Sequence, residues 1–337
     1  MKTLFDSIEV AGMPLKNRLV MAPMTRGRAE GGVPTETMAE YYRRRAAGGI
    51  GLIITEGALV NHPLARAGHG EVPYLRKDSI EGWRRVVDAV HAEGSRIFPQ
   101  IWHLGPVVRP GVAGRSVTDD QGNEVVRLAT AEDRAALLQA YSHAAEVSPE
   151  CGFDGVELHG AHGYLLDSFL RAGDTGFVTE IIRETRLKIG SDLPLCFRFS
   201  NWTAEDLTAS YFDTPAELER LLKIMIGAGV DIFHPSTRRF WEPVFDDEPL
   251  TLAGWTRRIT GMPTIIVGNI GLKTAGFSGS GPESLYTLER LLNAGEFDLA
   301  AVGRPLITEA EWGNKVRGKR FDQIEDFYEG SPKEVFP

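Results

Sequence analysis

Eight short apolar runs, each but the last followed by a stretch of helical periodicity, narrow what this chain can fold into. The runs fall at residues 19–24, 50–55, 96–102, 155–158, 195–199, 231–234, 263–267 and 299–302. Such continuous apolar runs, without a polar face, suit strands covered on both sides. Helix-patterned stretches at 35–47, 79–93, 130–151, 177–189, 214–228, 250–260 and 282–293 lie between them, with Thr35 placed as an N-cap and Gly229 closing its helix. Regular βα alternation of this length predicts a (β/α)8 barrel. Residues 5–19 alternate apolar and polar around Gly12 and Pro14, which predicts a short N-terminal hairpin. No interior linker breaks the pattern, so residues 1–337 are expected to form one barrel domain. An open doubly wound sheet would show the same alternation. Its glycine fingerprint is absent after the first run, where Pro23-Met24-Thr25-Arg26 stands instead.

Composition removes several function classes. With 37 basic and 46 acidic side chains the net charge is -9, which argues against a nucleic-acid partner. The two cysteines, Cys151 and Cys196, cannot build a disulfide framework or a four-thiolate cluster, and they suit a reducing compartment. The opening Met1-Lys2-Thr3-Leu4-Phe5-Asp6 has no signal-like apolar core, and no run reaches the roughly 20 residues of a membrane helix. A cytoplasmic protein with no membrane partner is the expectation.

In a parallel barrel, ligands bind at the C-terminal ends of the strands. The residues there are Pro23 and Thr25, Glu56 and Gly57, Gln100 and Trp102, His159, His162 and Tyr164, Arg198, His234, Gly268 and Asn269, and Gly303 and Arg304. Gln100 and Trp102 are two apart and share a strand face, which suits a flat heteroaromatic ligand. Arg198, inside a buried run, requires an anionic partner. Gly268 and the Gly303-Arg304 pair fall after the seventh and eighth runs, where barrels often hold phosphate. Each residue also has a plainer reading: a structural ion pair for Arg198, a tight turn for Gly303, packing for Trp102 and Tyr164, core histidines for His159 and His162. Glu157 with His-x-x-His could ligate a metal, but no third zinc ligand is indicated and no metal site is expected. Convergence on one rim favours a functional set.

These residues carry a resemblance. The segments Met21-Ala22-Pro23-Met24-Thr25-Arg26, Thr55-Glu56-Gly57, Gln100-Ile101-Trp102-His103, His159-Gly160-Ala161-His162-Gly163-Tyr164, Arg198-Phe199-Ser200, Gly268-Asn269 and Gly303-Arg304-Pro305 resemble the old yellow enzyme family of FMN-dependent ene reductases. The resemblance runs nearly end to end. It implies non-covalent FMN as cofactor, NADPH or NADH as reductant, and an activated alkene as substrate, either an α,β-unsaturated carbonyl or a nitro compound. Pro23, Thr25, Gly57, Gln100 and Arg198 would contact the flavin ring, and Gly268, Asn269, Gly303 and Arg304 its phosphate. His159 and His162 would hold the substrate oxygen and Tyr164 would protonate Cα, with Trp102 and Trp241 as substrate walls. Thr25 points to the branch with Thr rather than Cys there, and a homo-oligomer is compatible with the sequence.

Two loops depart from the family. Residues 171–175 are too few to hold its usual Asn, Arg, Asp and Tyr-Gly-Gly stretch, and 106–128 also look short. Both would normally cover the site. Two other readings therefore stand beside the first: a flavin-independent, phosphate-binding barrel isomerase or aldolase, and a catalytically silent FMN-binding barrel. The aldolase reading lacks a strand-end lysine for a Schiff base.

Overall fold

A computed structural model describes the chain apart from residues 66–70, 108–110, 120, 247, 275–276, 279–281 and 329–337. Eight parallel strands close into a barrel: β1 (Leu19–Met21), β2 (Leu52–Leu59), β3 (Arg96–Trp102), β4 (Val156–His162), β5 (Leu195–Thr203), β6 (Ile232–Ser236), β7 (Ile265–Val267) and β8 (Leu299–Val302). Each strand pairs with its neighbour in sequence, and β8 returns to β1. Closure leaves the barrel with no sheet edge to protect. The antiparallel hairpin Ile8–Val10 and Met13–Leu15 precedes the barrel and lays Val10, Met13 and Leu15 against Val20, Leu52, Ile54, Phe98, Ile232, Ile265 and Leu299. It seals the barrel interior with side chains that are each worth about 1.5–3 kcal/mol when buried.

The second, larger apolar layer lies between the barrel and its helices. These are α1 (Glu36–Ala47), α2 (Ile80–Ala92), α3 (Ala131–Glu150), α4 (Leu165–Arg171), α5 (Thr175–Ile189), α6 (Pro215–Ala228), α7 (Leu252–Thr260), α8 (Pro282–Ala294) and, after β8, where no helix was expected, the short α9 (Pro305–Thr308) and α10 (Trp312–Arg317). Their starts are fixed chemically. Thr35, Thr130, Asp174, Thr214 and Thr251 each accept a backbone N–H of the first turn, and Gly229 ends α6 at φ 113°. No helix among the described residues is long and apolar enough to cross a membrane. Cys151 and Cys196 are buried free thiols.

Four strands extend past the expected C-terminal ends, while β1 stops at Met21 rather than 24 and β2 and β7 start at Leu52 and Ile265 rather than 50 and 263. β2 runs on to Leu59, β4 to His162, β5 to Thr203 and β6 to Ser236. Polar residues that ended the predicted runs are therefore still in strand. They face the barrel mouth, where a polar side chain does not break the ladder. Bulges allow the extensions: the register shifts between Ile54 and Gly57 in β2 and between Phe199 and Thr203 in β5. The 171–175 loop is replaced by α4 running almost directly into α5. Within 106–128, where 108–110 and 120 lie outside the described residues, a small sheet forms from Gly111–Ala113, Val117–Thr118 and Glu124–Leu128.

Candidate active site

Two adjoining cavities occupy the C-terminal mouth of the barrel. One, of about 150 Å³, is lined by Pro23, Thr25, Gly57, Gln100, Trp102, His159, His162, Tyr164 and Arg198. The other, of about 510 Å³, takes in Gly268, Asn269, Gly303 and Arg304 and shares Pro23, His162 and Arg198 with the first. The structure thus brings together every expected site residue except Trp241. That ring meets Phe240 edge-on at 5.1 Å and lines neither cavity. The Phe240 N–H is bonded to the Gly268 carbonyl at 3.1 Å, which folds this loop onto β7. Trp202, in the extension of β5, supplies the aromatic wall instead, with its ring stacked on His162 at 4.4 Å.

The smaller cavity is built by strand alternation and one turn. Gln100 and Trp102 project from β3 on the same side. Gly57 on β2 is required by that ring: a Cβ there would stand 2.4 Å from Trp102. His159 and His162 are three apart and would face opposite ways on a regular strand. His162, however, adopts φ 65° and Gly163 φ 83°. This left-handed turn, costly for a residue other than glycine, brings the two imidazoles to one cavity with centroids 5.2 Å apart. Tyr164 follows, 4.8 Å from the His159 ring and 5.0 Å from Trp102.

The charge states follow from burial and neighbours. Burial, and then the Arg198 charge, lowers His159 to about 3 and holds His162 well below its usual range. Both rings are neutral, so each has one N–H to donate. His159 Nδ1 accepts the Ala161 N–H at 3.3 Å, which assigns the ring proton to Nε2. His162 Nε2 lies 2.8 Å from Ser236 Oγ, and Arg198 Nη2 donates to the same hydroxyl at 3.4 Å. Ser236 can therefore give its proton to His162, leaving the proton of that ring on Nδ1. Burial raises Tyr164 above its ordinary value, so the phenol stays protonated at neutral pH.

Behind these groups Glu157, wholly buried, accepts from Gln100 Nε2 at 2.7 Å, from His234 Nδ1 at 2.6 Å and from Cys196 Sγ at 3.3 Å. With its amide nitrogen tied back, Gln100 keeps its carbonyl for the cavity. Glu157, Cys196 and His234 lie close enough to suggest a metal triad, but each is already hydrogen-bonded to another member. Arg198 keeps a buried Nε without a partner among the described residues. In the larger cavity Arg304 Nη2 donates to Asn269 Oδ1 at 2.5 Å, and the backbone is opened by Gly268 at φ 148° and Asn269 at φ 56°. Sequence reasoning did not single out Trp202 or Ser236. Ser236 could have been found from its spacing two residues after His234.

Residues 3–323 match the family model for the NADH:flavin oxidoreductase / NADH oxidase family. The chain belongs to that family. It is 31% identical to an NADH oxidase of Thermoanaerobacter brockii over 95% of this chain and 52% of that protein. It is 27% identical to a cinnamate reductase of Clostridium sporogenes over 96% of this chain and 54% of that protein. The chain therefore spans about half the length of each relative. An old yellow enzyme homologue from Zymomonas mobilis has the same fold, with a TM-score of 0.81 at 24% identity, covering 100% of this chain and 98% of that one.

Proposed function

We propose that this chain binds FMN across the joined cavities and reduces activated alkenes with NADPH or NADH as the electron source. The observation that carries the reading is the meeting of two neutral imidazole donors and a protonated phenol in one cavity that opens, past Arg198, into a second. A volume of about 510 Å³ lies in the range of small-ligand sites.

The residues present fit a flavin. The Gln100 carbonyl, fixed through Glu157, can accept from the imide N–H of the pyrimidine edge. The Arg198 Nε, without a partner among the described residues, gives a buried cation on the same side. Thr25 offers a hydroxyl, Pro23 and Gly57 line the ring space, and Gly268, Asn269, Gly303 and Arg304 would hold the phosphate. When bound, the isoalloxazine supplies a hydride relay from a reduced nicotinamide to the alkene Cβ.

The chain's own groups act on the substrate. His159 and His162 hold the carbonyl or nitro oxygen, where negative charge grows as hydride arrives. Each such donor typically lowers the barrier by ~2.7–4 kcal/mol. Neutral imidazoles suit this position because they donate without adding a buried charge. Tyr164 delivers a proton to Cα and is close to both the His159 and Trp102 rings.

An absorption spectrum of the purified protein, followed by anaerobic NADPH and then 2-cyclohexenone, tests the reading. A flavin band that bleaches and returns is expected, and a colourless protein that FMN cannot reconstitute would reject it. In Tyr164→Phe the return with enone should slow by about 10²-fold or more while bleaching by NADPH is spared. Equal loss in both halves would remove the proton-donor role.

A further inference from the structure

We propose that Asp167 and Arg171 are positioning residues that clamp the His162–Tyr164 turn to the extension of β5 and so set the geometry of the alkene half-reaction. The role rests on the function proposed above and concerns side chains that lie outside both cavities.

The clamp has two jaws. Asp167, in the first turn of α4 and 1% exposed, accepts the Gly163 N–H at 2.6 Å. Gly163 is the second left-handed residue of the turn that carries His162 and Tyr164. One turn along α4, Arg171 Nε donates to the same Asp167 oxygen at 2.9 Å. The far end of its guanidinium, Nη2, donates to the carbonyls of Ser200 and Asn201 at 3.2 Å and of Trp202 at 3.3 Å. These three residues lie where β5 has slipped register against β4 beyond Phe199; Ser200 stays paired with Ser236 on β6, and the Trp202 carbonyl also accepts from Ser200 Oγ at 2.6 Å. One ion pair thus connects the turn bearing His162 and Tyr164 with the segment bearing the Trp202 ring that stacks on His162.

Other contacts show that the two segments need holding. Beyond the bulge they touch through the Ala204 N–H on the His162 carbonyl at 3.0 Å and the His162 N–H on Ser200 Oγ at 2.9 Å. His162 is held at a φ that an unconstrained residue with a side chain avoids. Strain of this kind persists where surroundings enforce it. Arg171 is the residue type such a clamp requires, because its planar fork reaches the Asp167 carboxylate and the backbone carbonyls at once, which a point charge cannot do. It also lies over the Tyr211 ring at 5.1 Å, and Tyr211 donates to the Leu170 carbonyl, fixing the end of α4. α4 ends at Arg171, and only residues 172–174 separate it from α5.

The test uses the flavin-loaded protein and the variants Arg171→Ala, Arg171→Lys and Asp167→Asn. Three rates are compared: bleaching by NADPH, reoxidation by 2-cyclohexenone and reoxidation by dioxygen, which needs no oriented carbonyl. Arg171→Ala should slow the enone step about 10- to 100-fold, the loss expected when reacting groups move by about 1 Å, and leave the other two within about twofold. Arg171→Lys should recover part of the loss. Asp167→Asn, which keeps an acceptor for Gly163, should fall between. Backbone amide exchange gives a second measurement that needs no catalysis: Arg171→Ala should lose protection in both 160–164 and 200–204. Unchanged exchange in either segment, or equal slowing of all three rates, overturns the clamp. A wild-type protein that never responds to the enone removes the ene-reductase reading, and the exchange result then decides the clamp alone.

Discussion

Glu157 on β4 and Glu56 on β2 are both buried at the same mouth, 0% and 1% exposed, yet their carboxyls are shifted in opposite directions. Burial alone would raise both carboxyls. At Glu157 the His234 ring, the Arg198 charge and the Gln100 amide outweigh it, and the group is held down at about 2. At Glu56 one oxygen accepts the Arg26 and Gly27 N–H groups at 3.0 Å each, while the other finds no donor among the described residues. Burial prevails there and pushes the carboxyl up to about 7. A cation lies near each acid, Arg198 and Arg26, so the fuller set of donors on both oxygens of Glu157 is what holds that acid ionised. The two acids also serve different parts of the site: Glu157 orients Gln100, and Glu56 pins the backbone just after Thr25.

The largest break in this comparison should come from Glu157→Gln. The substitution removes the charge beside Arg198 and offers an amide N–H where His234 Nδ1 already donates. Burial keeps His234 neutral, and its Nε2 is without a partner among the described residues, so a tautomer shift can absorb part of the damage. Breaking one side of a buried charge arrangement typically costs about 3–5 kcal/mol. Urea denaturation near pH 7 should show a loss of that order, together with weaker FMN retention through the freed Gln100. Unchanged stability and unchanged retention would mean that Glu157 does not hold the amide.

Glu56→Gln should change a pH profile rather than a single value. A carboxyl raised from 4.5 to about 7 in the fold contributes stability that is present below 4.5 and is lost as pH rises through 7. Glu157, lowered to about 2, contributes stability that is present above its unfolded value and is lost only as pH falls toward 2. Wild-type stability should therefore decline between about pH 4.5 and 7, by roughly 3 kcal/mol attributable to Glu56. In Glu56→Gln that decline should flatten. A variant whose stability falls with pH as steeply as wild type would assign the decline to another group.

Much of the barrel and of its mouth was visible in the sequence because both follow from local patterns. Gln100 and Trp102 share a face by alternation, and Tyr164 stands where apolar continuity changes to helical spacing. Residues whose placement depends on distant backbone were not visible. Ser236 and Trp202 lie beyond the points where the apolar runs stop, on strand extensions that a bulge and a neighbouring strand support. Asp167 and Arg171 read as a helical pair, but their partners are a turn four residues back and carbonyls some 30 residues on. Trp241 misled for the same reason: its position in sequence after β6 says nothing of the Phe240 anchor on Gly268.

The smallest effect in the comparison belongs to Cys196, the third donor to Glu157. Burial, and then the carboxylate, holds its thiol well above the ordinary range, so it donates S–H at 3.3 Å. A thiol is a weak donor. Cys196→Ser exchanges it for a stronger but shorter one, and the cost of burying a hydroxyl offsets the better hydrogen bond. Its stability should stay within about 1 kcal/mol of wild type. Cys196→Ala removes the donor and leaves a small void, for a loss of about 1 kcal/mol. Both are best measured by urea denaturation near pH 7, as for Glu157→Gln, where the contribution of Glu157 is fully present. A loss in Cys196→Ala as large as that in Glu157→Gln would transfer the stabilisation of the carboxylate to the thiol. A small loss leaves it with the field of Arg198 and with Gln100 and His234, the donors that distinguish Glu157 from Glu56.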